Sequence, residues 1–387
     1  MARLSEPNDH FDVEDDRLQA TNLKILLNRL FNGSITIVHR GSEVSEICTN
    51  QAVDLMFCDI DLPDINGVDL LCTLSKETRP KGVVILSAMN QDVVEITYNM
   101  CLSAGYDFVR ALTKPISCEQ LSQILTAFQQ YTLEEQVVAL PVLMNTTDID
   151  TAFQQGWFHN YYQPQYSVVD NRLVGLEALV RCFHPEHGVL APAQFLSEVQ
   201  TRNELDKLFW LVLENALRDL AKLNTSVSLS VNMNQKTLKQ PMSERFFRLC
   251  DQYQIAPERV TLELTEDEVY DSDVVSLANL ANLRLRGVGL AIDDFGTGYS
   301  SLSQLAILPY TELKIDRQFI KNALTNFKSQ QLTISSLQLA KSLGLKSVAE
   351  GVEDHETLYY LRQIGVDLYQ GFVRSRPVPF EQLEALF

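Results

Sequence analysis

The fold of this chain is decided by one stretch, Val288-Gly289-Leu290-Ala291-Ile292-Asp293-Asp294-Phe295-Gly296-Thr297-Gly298-Tyr299. An apolar run of strand length ends in two adjacent carboxylates, and a glycine-containing turn follows. Neighbouring side chains of a strand point to opposite faces, but this alternation lapses at the last residue before a turn. We therefore expect Asp293 and Asp294 to reach one site together. The alternative is that they only cap the turn and the next helix, where Asp is common.

Other strand-like runs lie on both sides of that stretch, and helical patterns separate most of them. The runs cover residues 161–169, 173–180, 227–231, 260–264, 288–292, 312–315, 347–349 and 367–369. About eight such units predict a (β/α)8 TIM-like barrel, whose active site lies at the carboxyl ends of the strands. Polar side chains collect near those ends: Glu177, Asn232, Glu263, Asp293, Asp294, Lys314, Glu350 and Gln370.

A ring of carboxylates at one barrel mouth needs counter-ions, because uncompensated charges are costly to bury. Oxygen ligands of this kind suit Mg²⁺ or Mn²⁺ better than zinc. Two such ions that share a carboxylate can activate a water and stabilise the leaving oxygen of a phosphodiester. The residues alone therefore favour metal-dependent phosphodiester hydrolysis.

The first part of the chain alternates short apolar runs with amphipathic segments. This pattern predicts an α/β fold with a doubly wound parallel sheet, whose ligands lie at the carboxyl ends of the strands. Polar residues collect there as well: Glu14, Asp15, Asp59, Ser87 and Lys114. The segment of residues 8–13 is mostly polar, so we expect the first strand to be a loose edge of the sheet.

Composition limits the class of protein. A length of 387 residues predicts two or three domains, and the formal charge of -18 argues against binding duplex DNA or an anionic membrane surface. The seven cysteines contain no Cys-x-x-Cys pair and are typical of reduced thiols. No stretch has the pattern of a signal peptide or the length of a membrane span. We expect a cytoplasmic protein.

Motifs spread over residues 146–387 resemble the EAL family of cyclic di-GMP phosphodiesterases. The motifs are Tyr162-Gln163-Pro164, Glu177-Ala178-Leu179, Val231-Asn232, Leu262-Glu263-Leu264-Thr265-Glu266, Asp293-Asp294-Phe295-Gly296-Thr297-Gly298, Lys314-Ile315-Asp316, Ala349-Glu350-Gly351-Val352-Glu353 and Gln370-Gly371-Phe372. The resemblance implies two metal ions, Mg²⁺ or Mn²⁺, in each active site. It implies the metal ligands Glu177, Asn232, Glu263, Asp293, Asp294 and Glu350, with Asp293 shared.

The same resemblance assigns the remaining roles in the barrel. Lys314 would orient or help deprotonate the attacking water, and Glu350 and Glu353 would act beside it. Gln163, Pro164, Arg181 and Gln370 would contact the dinucleotide, with Gln370 and Glu353 also supporting the metal shell. Glu266 would steady the glycine-containing loop that follows Asp294.

Residues 1–125 resemble the receiver domain of two-component response regulators. The resemblance implies that Asp59 is the phosphoacceptor and that Glu14 and Asp15 hold a Mg²⁺ ion. It also implies that Ser87 and Lys114 contact the phosphoryl group. The chain departs from the family at Ala111, where an aromatic switch residue is usual. Residues 126–145 are predicted to be a helical linker, which either transmits an orientation change or forms a dimer seam.

The arrangement as a whole resembles receiver-EAL response regulators. It predicts hydrolysis of cyclic di-GMP to linear pGpG, modulated by the phosphorylated receiver. The expected partners are cyclic di-GMP and a sensor histidine kinase, and we expect a homo-oligomer, a dimer or higher. The alternative is a catalytically silent protein that binds cyclic di-GMP and signals to a protein partner.

Overall fold

The structure, a computed structural model, describes residues 10–31, 33–51, 53–88, 91–137, 143–223, 225–265, 273–297 and 305–387. These residues form two compact units, Met1–Leu140 and Pro141–Phe387. Among the described helices, none combines the length and the apolar character that crossing a bilayer requires.

The first unit is built on five parallel strands in the order β2-β1-β3-β4-β5. The strands are β1 (His10–Val13), β2 (Ile35–Val38), β3 (Leu55–Asp59), β4 (Gly82–Ser87) and β5 (Phe108–Thr113). The helices are α1 (Arg17–Leu30), α2 (Val44–Asn50), α3 (Gly67–Thr73), α4 (Gln91–Ser103) and α5 (Cys118–Val137). This alternation confirms the doubly wound receiver fold.

Apolar cores cover both faces of this sheet. The six residues of β4 are all buried, as expected for a strand with helices on both sides. Val83 and Ile85 belong to one core, while Val84 and Leu86 belong to the other. The period of two therefore divides a continuous apolar run between the two faces.

The prediction that the first strand is a loose edge is wrong. Strand β1 lies inside the sheet, where it pairs with both β2 and β3. Asp12 on this strand is 0% exposed. The polar sequence of β1 did not indicate its position, because the order of the strands in the sheet places β1 between β2 and β3.

The last helix of the first unit extends into the segment that is predicted to be a helical linker. Helix α5 continues without a break to Val137. Its amino-terminal half packs Leu121, Leu125 and Phe128 against the sheet. The segment that the sequence analysis assigns to a linker is thus helical over residues 126–137.

The described part of the second unit has ten strands, eight of which form a closed barrel. Its strands are β6 (Phe158–Ser167), β7 (Leu173–His184), β8 (Gly188–Leu190), β9 (Ser228–Asn232), β10 (Val260–Thr265), β11 (Gly289–Phe295), β12 (Glu312–Ile315), β13 (Lys346–Ala349), β14 (Leu368–Tyr369) and β15 (Val378–Pro379). The sheet closes because β6 pairs with both β7 and β14, and β8 and β15 extend it at the sides. The predicted TIM-like barrel is confirmed.

Helices surround the barrel. They are α6 (Thr146–Gln155), α7 (Leu196–Thr201), α8 (Leu205–Lys222), α9 (Gln235–Leu238), α10 (Ser243–Tyr253), α11 (Val274–Leu285), α12 (Arg317–Asn322), α13 (Phe327–Leu343) and α14 (His355–Ile364). In α8, Leu213, Ala216, Leu217 and Leu220 recur at helical spacing and are buried. Replacing a buried Leu of this face by Ala is expected to destabilise the barrel by about 2–5 kcal/mol.

One strand of the barrel runs against the others. Strand β6 is antiparallel to both of its barrel neighbours, β7 and β14. The other neighbouring pairs of the barrel, from β7 with β9 round to β13 with β14, are parallel. Residues 168–172 connect β6 to β7, and so short a connection permits only a hairpin. Asn171 in this turn has a φ of 55°. The amino-terminal end of β6 therefore lies beside the carboxyl end of β7.

Candidate active site

The carboxylates of the barrel come from neighbouring strands. Glu177 lies on β7, Glu263 on β10 and Asp293 on β11, while Glu350 follows β13 directly. Glu263 is in register with Asn232 of β9. Because the carboxyl ends of parallel strands meet at one edge, these side chains converge there. Glu177 was predicted near a strand end, but β7 continues beyond it to His184.

The ammonium group of Lys314 lies among these carboxylates. Its Nζ is 2.8 Å from Glu263 Oε2, 2.8 Å from Glu350 Oε1, 2.9 Å from Asp293 Oδ1 and 3.6 Å from Glu177 Oε2. The side chain of Lys314 is 1% exposed. Among the described residues, this one ammonium group thus faces four acidic groups at a position almost closed to solvent.

Burial and mutual repulsion shape the protonation of this cluster. Burial, followed by the charge of Glu177, raises the pKa of Glu263 well above its usual range. Burial is also the first cause that raises the pKa of Glu350, to about 8. Burial alone would lower the pKa of Lys314, but Asp293 and the other carboxylates raise it well above its usual range. Lys314 is therefore a firmly protonated ammonium.

Asp293 and Asp294 reach the same site, as the sequence predicts, but for a different reason. Strand β11 does not end before them and continues to Phe295. An irregular register between Ile292 and Phe295 marks a bulge, and Asp294 has a φ of 53° within it. A bulge inserts one extra residue and redirects side chains. Carboxylate oxygens of Asp293, Asp294 and Glu350 consequently lie within 4.8 Å of one another.

Amide side chains hold the acidic groups in place. Asn232 Nδ2 donates to Glu177 Oε1 at 3.0 Å. Gln370 Nε2 donates to Glu177 Oε2 and to Glu350 Oε1, each at 2.8 Å. Gln165 Nε2 in turn donates to Gln370 Oε1 at 3.2 Å. Both oxygens of Glu177 therefore accept hydrogen bonds from neutral donors.

The donor set fits divalent cations. Glu263 Oε1 is buried and accepts no hydrogen bond from any residue that the structure describes. Asp293 Oδ1 is buried as well, and it faces the Lys314 ammonium outside hydrogen-bond geometry. Carboxylate and amide oxygens are the ligands that Mg²⁺ and Mn²⁺ prefer. The residues present are therefore suited to hold such ions.

The residues predicted to contact a dinucleotide lie on the antiparallel hairpin. Gln163 of β6 is in register with Glu177, and its Nε2 donates to Ser375 O at 2.8 Å. Pro164 is its neighbour on the same strand. Arg181 of β7 is half-buried and donates to Val180 O at 2.8 Å. They lie along the strands that line the cluster.

Glu353 is a predicted site residue that lies apart from the cluster. Its side chain is exposed, with 48% accessible, and its Oε2 lies 3.9 Å from Lys321 Nζ. Glu266, which was predicted to steady the loop after Asp294, lies outside the described residues, as does most of that loop.

Asp316 and Gln165 are functional candidates that sequence reasoning missed. The pKa of Asp294 is raised to about 6, first by burial, then by Asp293 and by a hydrogen bond with Asp316. Asp316 also accepts a hydrogen bond from Gln318 N at the start of α12. A signal was present for Asp316, which belongs to the Lys314-Ile315-Asp316 motif and follows β12 directly.

The first unit carries a second acidic site at the carboxyl edge of its sheet. Lys114 Nζ lies 2.6 Å from both Asp59 Oδ2 and Glu14 Oε2. Carboxylate oxygens of Glu14, Asp15 and Asp59 lie within 4.8 Å of one another. Ser87 is buried, and its carbonyl oxygen accepts a hydrogen bond from Lys114 N at 2.9 Å. The structure thus brings all five predicted residues to one edge.

This second site is also suited to a cation. Glu14 Oε1 is buried and accepts no hydrogen bond from the described part of the chain. Burial is the first cause that raises the pKa of Glu14. Burial also raises the pKa of the neighbouring Asp12 well above its usual range. A Mg²⁺ ion held by oxygen ligands would offset this accumulation of negative charge.

Both units match known protein families. Residues 146–377 match the EAL domain, and residues 11–126 match the response regulator receiver domain. Each match contains the acidic cluster that the structure places in that unit.

Similar proteins extend the comparison. The cyclic di-GMP phosphodiesterase RocR of Pseudomonas aeruginosa is 32% identical over 378 residues, which are 95% of this chain and 95% of RocR. A structure of the MucR phosphodiesterase in a c-di-GMP complex is 33% identical, with a TM-score of 0.58, and covers 61% of this chain and 98% of that one. The EAL domain protein of Listeria monocytogenes is 31% identical, with a TM-score of 0.56, and covers 63% and 98%. The chain therefore belongs to the EAL domain family and joins its EAL domain to a response regulator receiver domain.

Proposed function

We propose that this protein is a cyclic di-GMP-specific phosphodiesterase that opens its substrate to linear pGpG with the help of two divalent cations. The observation that carries the proposal is the cluster of carboxylates around Lys314. The choice of substrate is supported by the similarity to RocR, a cyclic di-GMP phosphodiesterase, and to the MucR phosphodiesterase in its c-di-GMP complex.

The charges of the cluster support two ions rather than one. Five carboxylates, those of Glu177, Glu263, Asp293, Asp294 and Glu350, face one ammonium group, so full ionisation leaves four negative charges. Two divalent cations would balance that excess. Glu177, Asn232, Glu263 and Asp293 would hold one ion, and Asp293, Asp294 and Glu350 would hold the other. The ions would supply an activated water and stabilise the leaving oxygen.

Side chains of this protein supply the positioning. Lys314 would orient the attacking water or help to take its proton, since it lies among the carboxylates that would hold the ions. Arg181 would contact a phosphate of the dinucleotide, and Gln163 and Pro164 would contact its remainder. Gln370 would align Glu177 with Glu350. Glu353 would support the metal shell, and Glu266 would steady the loop that follows Asp294.

The test is a chromatographic assay of cyclic di-GMP turnover by the full chain with Mg²⁺ or Mn²⁺ and with EDTA. We expect pGpG as the product, no turnover in EDTA, and loss of activity in Glu177→Ala with nucleotide binding retained. Equal inertness of wild type and variant, with both binding the nucleotide, would favour a silent sensor. Comparable hydrolysis of cyclic mononucleotides would refute the proposed specificity.

We also propose that Asp59 accepts a phosphoryl group from a sensor histidine kinase and that this modulates turnover. Glu14 and Asp15 would hold the Mg²⁺ ion, and Lys114 and Ser87 would neutralise and bind the phosphoryl oxygens. Turnover measured before and after acetyl phosphate treatment tests the proposal. The Asp59→Asn variant is the matched control, and an equal response of both proteins contradicts it.

Compartment, oligomeric state and partners complete the proposal. We propose a cytoplasmic homo-oligomer whose residues 126–145 join a receiver domain of residues 1–125 to a barrel of residues 146–387. The seven cysteines are free thiols, which suits a reducing compartment. The excess of acidic residues favours a small ligand with bound metal over duplex DNA or an anionic membrane as partner. Light scattering of the purified chain tests the oligomer.

A further inference from the structure

We infer that Gln165 is a positioning residue that fixes the orientation of the Gln370 amide and thereby the spacing of Glu177 and Glu350. The inference rests on the proposed function, because those two carboxylates would hold different cations. It concerns a residue that neither the strand-end pattern nor the family motifs single out.

The first step is the geometry of Gln370. Its amide nitrogen donates to Glu177 Oε2 and to Glu350 Oε1, at 2.8 Å in both cases. An amide nitrogen carries two hydrogens, so this pair of bonds uses its whole donor capacity. If the amide turned over, its carbonyl oxygen would face two carboxylates. Only one orientation of Gln370 therefore holds both acids.

The second step is the contact that selects this orientation. Gln165 Nε2 donates to Gln370 Oε1 at 3.2 Å, and the Gln165 side chain is buried, with 2% of the residue exposed. A buried carbonyl oxygen that accepts no hydrogen bond is unfavourable, because it has lost its contact with water. Gln165 Nε2 supplies the donor for Gln370 Oε1. If the Gln370 amide were reversed, its NH2 group would face the NH2 group of Gln165, and neither could accept a hydrogen bond. Gln165 thus favours the orientation that binds both carboxylates.

The third step is the space that Gln165 occupies. Gly175 of β7 is its direct partner across the hairpin. A Cβ atom at Gly175 would lie 2.7 Å from Gln165 Oε1 and 2.7 Å from Ser228 Oγ. Only glycine leaves room for the amide there. The sheet therefore confines the Gln165 side chain to the barrel interior beneath the acidic cluster.

The test is a double-mutant cycle with Gln165→Met, Gln370→Met and the double variant of the full chain. Methionine keeps most of the volume of glutamine but cannot donate. Calorimetry measures Mn²⁺ affinity without turnover, and kcat and KM for cyclic di-GMP are measured in parallel. We expect Gln165→Met to weaken Mn²⁺ binding and lower kcat about 10-fold, as for other residues that orient metal ligands. We expect no change of KM.

The cycle distinguishes positioning from general destabilisation. If Gln165 acts through Gln370, the double variant will bind Mn²⁺ as Gln370→Met does. The control is Asn160→Leu on the same strand, since Asn160 is buried and donates to Val212 O at 2.9 Å on the outer face. It should lower the melting temperature but leave Mn²⁺ affinity unchanged. If Gln165→Met does not fold, Gln165→Asn takes its place, because it keeps an amide that is one methylene too short.

Two results would overturn the inference. One is unchanged Mn²⁺ affinity in a folded Gln165 variant. The other is that Gln165→Met weakens Mn²⁺ binding by the same factor whether residue 370 is Gln or Met. A wild-type chain that binds Mn²⁺ but leaves cyclic di-GMP intact refutes the proposed function, and the affinity cycle still decides the role of Gln165.

Discussion

Replacing Lys314 by methionine should strongly destabilise the barrel in the absence of metal. The ammonium lies within 2.9 Å of Glu263, Asp293 and Glu350, and it is almost completely buried. Removing one partner of a buried ion pair costs about 3–5 kcal/mol, because the other partner keeps an uncompensated charge. For a unit of this size, that loss lowers the melting temperature by about 6–20 °C.

The assay is differential scanning calorimetry of the full chain in EDTA and again in Mn²⁺. Ions that bind only the folded state stabilise it, by about 2.7 kcal/mol at one hundred times their Kd. Because Lys314→Met removes a repelling positive charge, Mn²⁺ should stabilise this variant more than it stabilises the wild type. The control is Lys321→Met, whose exposed partner Glu353 lies 3.9 Å away and whose loss should change stability by less than about 1 kcal/mol.

An unchanged melting temperature of Lys314→Met in EDTA would refute this reasoning. It would mean that the carboxylates are neutral in the folded protein and do not need the ammonium as their counter-ion.

Three further predictions concern Asp12, the cysteine thiols and the pH dependence of Mn²⁺ binding. Asp12→Val should raise the free energy of unfolding by about 1–3 kcal/mol, because it removes a buried carboxyl that has no hydrogen-bond partner among the described residues. Urea denaturation measures this free energy, and a loss of stability would contradict the prediction. Ellman's reagent should modify Cys72 and Cys118 in the folded chain and all seven thiols only after denaturation, because burial blocks access and raises the pKa of Cys48 to about 11. Fast modification of more than two thiols in the native chain would disprove it. Mn²⁺ affinity should rise with pH and level off above about pH 8, since burial raises the pKa of Glu350 to about 8. Below that pH the cation must displace the proton of Glu350. A Mn²⁺ affinity that calorimetry finds independent of pH would oppose this prediction.

The parts of the site that the sequence predicts are those governed by local periodicity. Glu263, Lys314 and Glu350 follow apolar runs, and parallel strands bring such ends together whatever lies between them. The chemistry of a cluster of oxygen ligands follows from residue type alone. The fold class and the position of the acidic mouth were therefore within reach of the sequence.

The remainder depends on contacts between distant residues. The bulge at Asp294 arises from a mismatch of register with β12, which no local pattern records. The burial of Gln165 depends on Gly175 across the hairpin. Asp12 reads as an exposed residue because the sequence does not reveal that β1 is an interior strand. Each of these features is set by a strand partner, and not by the residue's own neighbours in the chain.

The central claim is that the carboxylates around Lys314 hold two divalent cations, and anomalous diffraction from crystals grown with Mn²⁺ tests it most directly. We expect two peaks about 3.5–4 Å apart, one beside Glu177 and Glu263, the other beside Asp294 and Glu350, with Asp293 between them. The contradicting result is a map without peaks at saturating Mn²⁺, in which the Lys314 ammonium still pairs with the same carboxylates.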